Sequence, residues 1–371
     1  MNAPLLPLHT AAGARLTPEG LLLTYGDVPA EYAAGTQDAL LLDRTARGRV
    51  RVAGSDRVEF LHRLLAGRVR GLEPGQGLPN LLLTSKGKIV QAFELVSEQD
   101  AIVLDTSPGQ AAALITALDM YLFTDDVQLT DETPATAPLG LVGPQAKQRL
   151  IAALPSAEAF IDLPAHHVAQ WTDEQLGDIR LAQRPIAGSF GYELDAGPEQ
   201  APALHERLCA AGARPGGRVV EDILRVEAVQ AEFGVDVDDN IYPQEARLES
   251  AFSLDKGCYI GQEVVAKIDT YGGLNKCLVP LRVSHDDPLP RGTKLMVPDE
   301  ERGTREVGIV TSWAYSFVLD TGLALGYVKR RHQSLGARFT LENEAGPVAG
   351  EAEQVEAPVR TGGVPVTGGI D

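Results

Sequence analysis

The run Lys256-Gly257-Cys258-Tyr259-Ile260-Gly261-Gln262-Glu263 sets one thiol between two glycines, with a lysine two residues upstream. A thiol reacts as its thiolate, and a neighbouring cation favours that form. Glycines open backbone conformations closed to other residues and leave room for close approach. Together these features predict a functional Cys258 rather than the small buried hydrophobe that a free cysteine usually is. Tyr259, Gln262 and Glu263 either order the loop through hydrogen bonds or pack it. Cys209 and Cys277 lack this setting. Three cysteines without a C-x-x-C pair encode neither a disulfide framework nor a thiolate-rich metal site. The seven histidines show no ligand spacing, so no metal is expected and all seven are read as structural or surface residues. No G-x-S-x-G elbow supports a serine hydrolase.

Charge supplies a second candidate. The 371-residue chain carries a net charge of −18, which argues against nucleic acid or an anionic membrane as a partner. Within it, residues 44 to 88 hold ten Lys/Arg against Asp56, Glu59 and Glu73. Such a run forms either a solvated face or an anion-binding surface. The alternation Arg49-Val50-Arg51-Val52 predicts a strand with arginines on one face and valines on the other. Arg47 falls in phase with them.

The positioning elements follow from pattern. The length predicts two or three domains. No apolar run could span a bilayer and no secretory leader is visible, so a cytoplasmic location is expected. Asp56 and Glu59 form a capping-box pattern ahead of Val58, Leu61, Leu64 and Leu65, with Gly67 as the stop. Residues 80–85 and 88–96 predict a hairpin turning at Lys86-Gly87. A strand over 101–105, a helix over 109–118 and a strand over 126–129 follow. Residues 139–142 predict a strand, with Pro144 at the first position of a helix. A helix over 219–230 begins after Gly216-Gly217. From Cys277, short β-rich runs predict a small barrel. From Gly346 the composition loses periodicity, which predicts a disordered tail. The mixture is α+β, and no G-x-G-x-x-G or Walker loop points to a nucleotide fold.

The octet resembles the signature of the YgfZ family of folate-binding proteins that support iron–sulfur proteins. The likeness continues through Leu224-Arg225-Val226-Glu227-Ala228, Pro243-Gln244-Glu245 and Gly273-Leu274-Asn275-Lys276. Gly308-Ile309-Val310-Thr311-Ser312 and Gly326-Tyr327-Val328 resemble the C-terminal barrel of the related glycine-cleavage T protein, an aminomethyltransferase. The resemblance covers roughly residues 21 to 345. It implies two interleaved folate-binding lobes around a central opening, with the barrel docked beside them. The corresponding division is a leader (1–20), a first lobe (21–137), a second lobe (138–216), a return segment with the octet (217–275), the barrel (276–345) and the tail (346–371).

The resemblance further implies tetrahydrofolate or a one-carbon derivative as cofactor, Cys258 as the functional thiol, and iron–sulfur client or assembly proteins as partners, tRNA-modifying enzymes among the clients. Tyr192 and Glu193 match the segment whose glutamate faces the pterin in T proteins, and Arg225 lies in the matching helix string. A carboxylate accepts two donors side by side and an arginine holds an acidic tail. A structural salt bridge is the alternative for each. Arg47, Arg49 and Arg51 would bind a polyglutamate tail. The T protein's aspartate pair, which assists one-carbon transfer, has no counterpart in Gly87-Lys88-Ile89-Val90-Gln91-Ala92, and neutral side chains cannot perform that proton chemistry. The expectation is therefore a monomeric folate-binding protein. An aminomethyltransferase and a non-catalytic folate sensor are the alternatives.

Overall fold

The computed structural model describes residues 4–301, 303–344 and 346–358. The N-terminal segment is part of the fold. Helix α1 (Leu6–Ala11) is followed by a small hairpin of β1 (Arg15–Leu16) and β2 (Leu22–Thr24). Leu5 is fully buried and His9 nearly so. The expected leader is thus packed from residue 5 onward; residues 1–3 lie outside the described residues. Helix α2 (Val28–Gln37) then leads into β3 (Leu40–Asp43).

The chain next builds a five-stranded antiparallel sheet. Its strands are β4 (Gly48–Ala53), β5 (Gly77–Leu83), β6 (Ile89–Ser97), β7 (Ala101–Thr106) and β8 (Gln128–Asp131), in the order β5-β6-β7-β4-β8. Helices α3 (Arg57–Leu64) and α4 (Ala111–Asp119) cover one face through Phe60, Leu61, Leu64, Leu114 and Leu118. The hairpin turns at Lys86-Gly87 as its sequence predicts. The capping box does not form. The Asp56 carboxylate accepts instead from the Asp126 backbone N–H at 2.8 Å, because a tertiary partner outcompetes the local one.

A six-stranded sheet follows, built from β9 (Leu139–Val142), β10 (Val168–Asp173), β11 (Gly177–Ile186), β12 (Ser189–Asp195) and β13 (Arg214–Gly216), with β3 inserted between β9 and β13. Helices α5 (Ala146–Ala153) and α6 (Ala201–Ala210) cover its outer face together with α1. Pro144 precedes the N-cap Gln145 rather than opening α5. Helix α7 (Arg218–Glu227) packs on β3 and α2, and a long loop leads through the octet to α8 (Gln262–Tyr271).

The barrel is closed by six strands, β14 (Lys276–Val283), β15 (Lys294–Asp299), β16 (Gly303–Ser316), β17 (Thr321–Lys329), β18 (Arg338–Asn343) and β19 (Gly346–Gln354). The last of these was expected to be disordered. Its Gly- and Glu-rich composition hides a strand that β14 and β18 template from both sides, with Ala352 fully buried. Residues 359–371 of the expected tail lie outside the described residues. Among the described residues no helix is long and apolar enough to cross a membrane.

Candidate functional site

The two sheets turn charged faces toward each other. Cross-strand partners share a face, so the registers Arg49↔Asp105 and Asp105↔Glu94 align three ionic side chains on the first sheet. On the second, Arg180↔Asp195 and Ala182↔Glu193 set out the opposing side. Asp105 is the hub, accepting from Arg49 at 2.8 Å, Arg184 at 2.9 Å and Arg180 at 3.1 Å. Arg49 also donates to Asp195 at 2.9 Å. Arg49, Asp105, Arg180, Arg184 and Asp195 are all buried, a costly arrangement that pairing of opposite charges sustains.

Glu193 lies at one end of this layer, 3.0 Å from Arg44 Nε, 3.1 Å from Arg184 Nη1 and 3.7 Å from Arg47 Nε. Burial pushes its pKa up, but the guanidiniums of Arg184, Arg47 and Arg44 outweigh burial and hold it at about 2. It is a fixed carboxylate with lone pairs to spare. Arg47 Nε is buried without a hydrogen-bond partner. A donor left over beside a carboxylate is the arrangement a polar ligand could complete.

The octet forms a second, mechanically distinct feature. Lys256 Nζ donates to the backbone carbonyls of His62 (2.6 Å), Gly67 (3.0 Å) and Leu65. The His62 ring accepts from the Val69 and Arg70 N–H groups and meets the Lys256 carbonyl at 3.2 Å. Burial and then Arg68 and Arg70 push the Lys256 pKa down to about 8. The lysine therefore caps the C-terminal end of α3. This corrects the expected role: its ammonium is engaged with carbonyls, not offered to the thiol. Gly261 has φ +81, and a Cβ there would lie 2.5 Å from the Thr84 carbonyl oxygen. Loop and hairpin thus meet backbone to backbone. Tyr259 is buried among Leu81, Leu83 and Val265, which resolves its role toward packing. Gln262 bonds the Leu254 carbonyl at 3.4 Å, and Glu263 pairs with Lys267 on the surface. Gly257, at φ +100, has no atom near a would-be Cβ, and Cys258 is exposed.

The remaining predicted contacts separate. Tyr192 packs on the outer, helix-covered face of β12, away from Glu193. Arg225 is saturated by Asp222 (2.6 Å), Asp236 (2.9 Å), Glu232 (3.1 Å) and Ser312 (3.0 Å). These contacts engage all three guanidinium nitrogens in a buried salt-bridge network, the structural alternative to holding an acidic tail. Arg49 is likewise engaged, while Arg51 turns to Glu98, Asp100 and Glu132. The strand face Arg47, Arg49 and Arg51 is therefore not an open anion-binding surface. The sequence shows the arginines but not the carboxylates that other elements bring to them. At the expected aspartate positions, Gln91 opposes Leu82, and Val90 is the extra residue where the register shifts between Leu82 and Leu83. Val90 packs toward α3 and α4, and Gln91 donates to Gln110 at the start of α4 at 3.0 Å. Ala92 faces the opposite side with Leu81.

Comparison with known proteins decides the family. The GCVT N-terminal domain profile matches residues 24–256, and the glycine cleavage T-protein C-terminal barrel domain profile matches residues 276–359. The chain belongs to the glycine-cleavage T-protein family. Similar relatives include an aminomethyltransferase of Cupriavidus necator, 32% identical over 270 residues, covering 68% of this chain and 71% of the relative. A chloroplastic putative transferase of Arabidopsis thaliana is 25% identical over 343 residues, covering 92% and 77%. The crystal structure of the glycine cleavage system aminomethyltransferase T from Bartonella henselae superposes with a TM-score of 0.81 at 26% identity, covering 95% of this chain and 96% of that one. The T-protein likeness thus spans both sheets and the barrel. Folate dependence of the family makes a folate cofactor plausible.

Proposed function

We propose that this T-protein relative binds a reduced folate and acts on the one-carbon unit it carries, as a transferase of the aminomethyltransferase type. The pterin would sit against Glu193, in an opening between two interleaved lobes. The supporting observation is the buried Glu193 carboxylate with Arg47 Nε 3.7 Å from it, within ion-pair range but without a hydrogen bond. Two carboxylate oxygens accept the paired N–H donors of a pterin, and an orphan guanidinium N–H meets a ring acceptor. Calorimetric titration with tetrahydrofolate tests this. Wild type is expected to bind, and Glu193→Gln to bind at least about tenfold more weakly, with circular dichroism checking the fold. Because Glu193→Gln strips three arginines of their counter-charge, Arg47→Met is the second variant, and the same direction is expected. Wild type that does not bind overturns the proposal.

A second reading, a YgfZ-type role in supporting iron–sulfur clients such as tRNA-modifying enzymes, is favoured by one observation. The octet buries Lys256 and Tyr259 yet leaves the Cys258 thiol exposed. Cells lacking the protein test it: a Cys258→Ser variant that folds and restores cluster-dependent enzyme activity fully would rule it out.

A further inference from the structure

We infer that Glu94 and His166 form a proton-exchanging pair at the folate site, supplying the acid–base function for which the chain has no aspartate. The inference rests on the folate-binding reading and adds a chemical role that no histidine was expected to have.

Successive side chains of a strand alternate faces, so Glu94 shares with Ala92 the side of β6 that looks toward the second sheet. Glu94 thus puts a carboxylate on that side of the strand, two residues beyond Ala92. Glu94 Oε2 lies 2.8 Å from His166 Nδ1. Burial raises the Glu94 pKa, but the bond to His166 and the charges of His166, Arg184 and Arg47 outweigh it and lower the net value. Those same two arginines flank Glu193, which ties the pair to the proposed pterin position.

The histidine is held in place by the backbone around it. His166 has φ +65, the left-handed region that a non-glycine residue rarely occupies. Its N–H donates to the Gln183 carbonyl at 2.6 Å, and the half-exposed Phe190 ring stands edge-on at 5.7 Å. Strained backbone of this kind clusters at functional sites. With Nδ1 committed to Glu94, Nε2 is the atom left to give or take a proton, and among the described residues it has no hydrogen-bond partner. A carboxylate on one ring nitrogen fixes the ring's orientation and its tautomer. The charged groups facing the pair are Asp105, opposite Glu94 on β7, Arg47 next to β4, Arg184 on β11, and Glu193 beyond Arg184 on β12.

The test is tetrahydrofolate titration of the full chain in buffers of different ionisation enthalpy, across about pH 5.5 to 8, where imidazole titrates. This counts protons exchanged on binding. Wild type is expected to show a proton count that changes with pH. Glu94→Gln and His166→Asn should flatten it, asparagine being chosen because it tolerates the left-handed backbone. Arg47→Met should weaken binding and, because the Arg47 charge acts on Glu94, shift the proton profile along the pH axis without flattening it. Variants that keep the wild-type proton profile, or wild type that binds without exchanging protons, overturn the pair while leaving the folate reading intact. A wild type that does not bind overturns both.

Discussion

Lys256 and Cys258 stand two residues apart and call for opposite outcomes. Lys256→Met removes the donor from three carbonyls at the end of α3, leaving buried acceptors unmet. A loss of about 2–3 kcal/mol is expected in denaturant unfolding. Cys258→Ala removes an exposed side chain and should cost less than about 1 kcal/mol by the same measurement. Alkylation at neutral pH, followed residue by residue by mass spectrometry, should reach Cys258 first. Burial pushes the Cys209 thiol up to about 11 and raises that of Cys277 as well, so both persist as slow-reacting thiols. Equal rates at all three would contradict the exposed setting of the octet. The sequence pairs this lysine with the nearby thiol, because proximity along the chain says nothing of carbonyls at the end of α3, some 190 residues earlier. The contact between His166 and Glu94 is hidden from the sequence for the same reason, since 72 positions separate them.

Elements meet their expectations where the determining interactions are local. The arginine–valine alternation of β4, the hairpin at Lys86-Gly87 and strand β9 are all legible. Strand β19 is not, since its neighbours rather than its own pattern impose it. The octet loop joins the hairpin through Gly261, and this makes a clean comparison of two positive-φ glycines. Gly261→Ala suffers both the backbone strain and a Cβ 2.5 Å from the Thr84 oxygen, whereas Gly257→Ala suffers the strain alone. Strain alone costs about 1 kcal/mol, so Gly257→Ala should melt near that value below wild type. Gly261→Ala should exceed it by at least about 1 kcal/mol more. Equal melting curves would show that loop and hairpin separate freely.

For the whole molecule, the sheet–sheet contact replaces an apolar core by ion pairs, and its pH response follows. Glu193 ionises at about 2 in the fold against an ordinary 4.5, and Asp105 is also lowered, well below its usual value. The unfolded chain therefore binds these protons at higher pH than the native one. Their stabilisation is fully present above about pH 4.5 and is lost as pH falls toward 2. The Glu193 share is on the order of 3 kcal/mol. Unfolding midpoints measured from pH 6 down to 2 should fall through that window, and Glu193→Gln should flatten the slope. The barrel and the mixed α/β class were readable from spacing; the interface was not, since a run of arginines looks the same whether it faces water or a second sheet.

Strand β3 also has a consequence for how the protein is made. It leaves the ribosome early, yet its hydrogen-bonded neighbours, β9 and β13, begin about a hundred and about 175 residues later. Leu40, Leu41 and Leu42, all buried in the finished sheet, must wait uncovered while the entire first sheet is translated. At ordinary elongation rates of about 5–20 residues per second, that wait lasts from several seconds to more than half a minute. A nascent chain stalled near residue 137 should accordingly expose this apolar strand to holding chaperones, and one extended past β13 should release them.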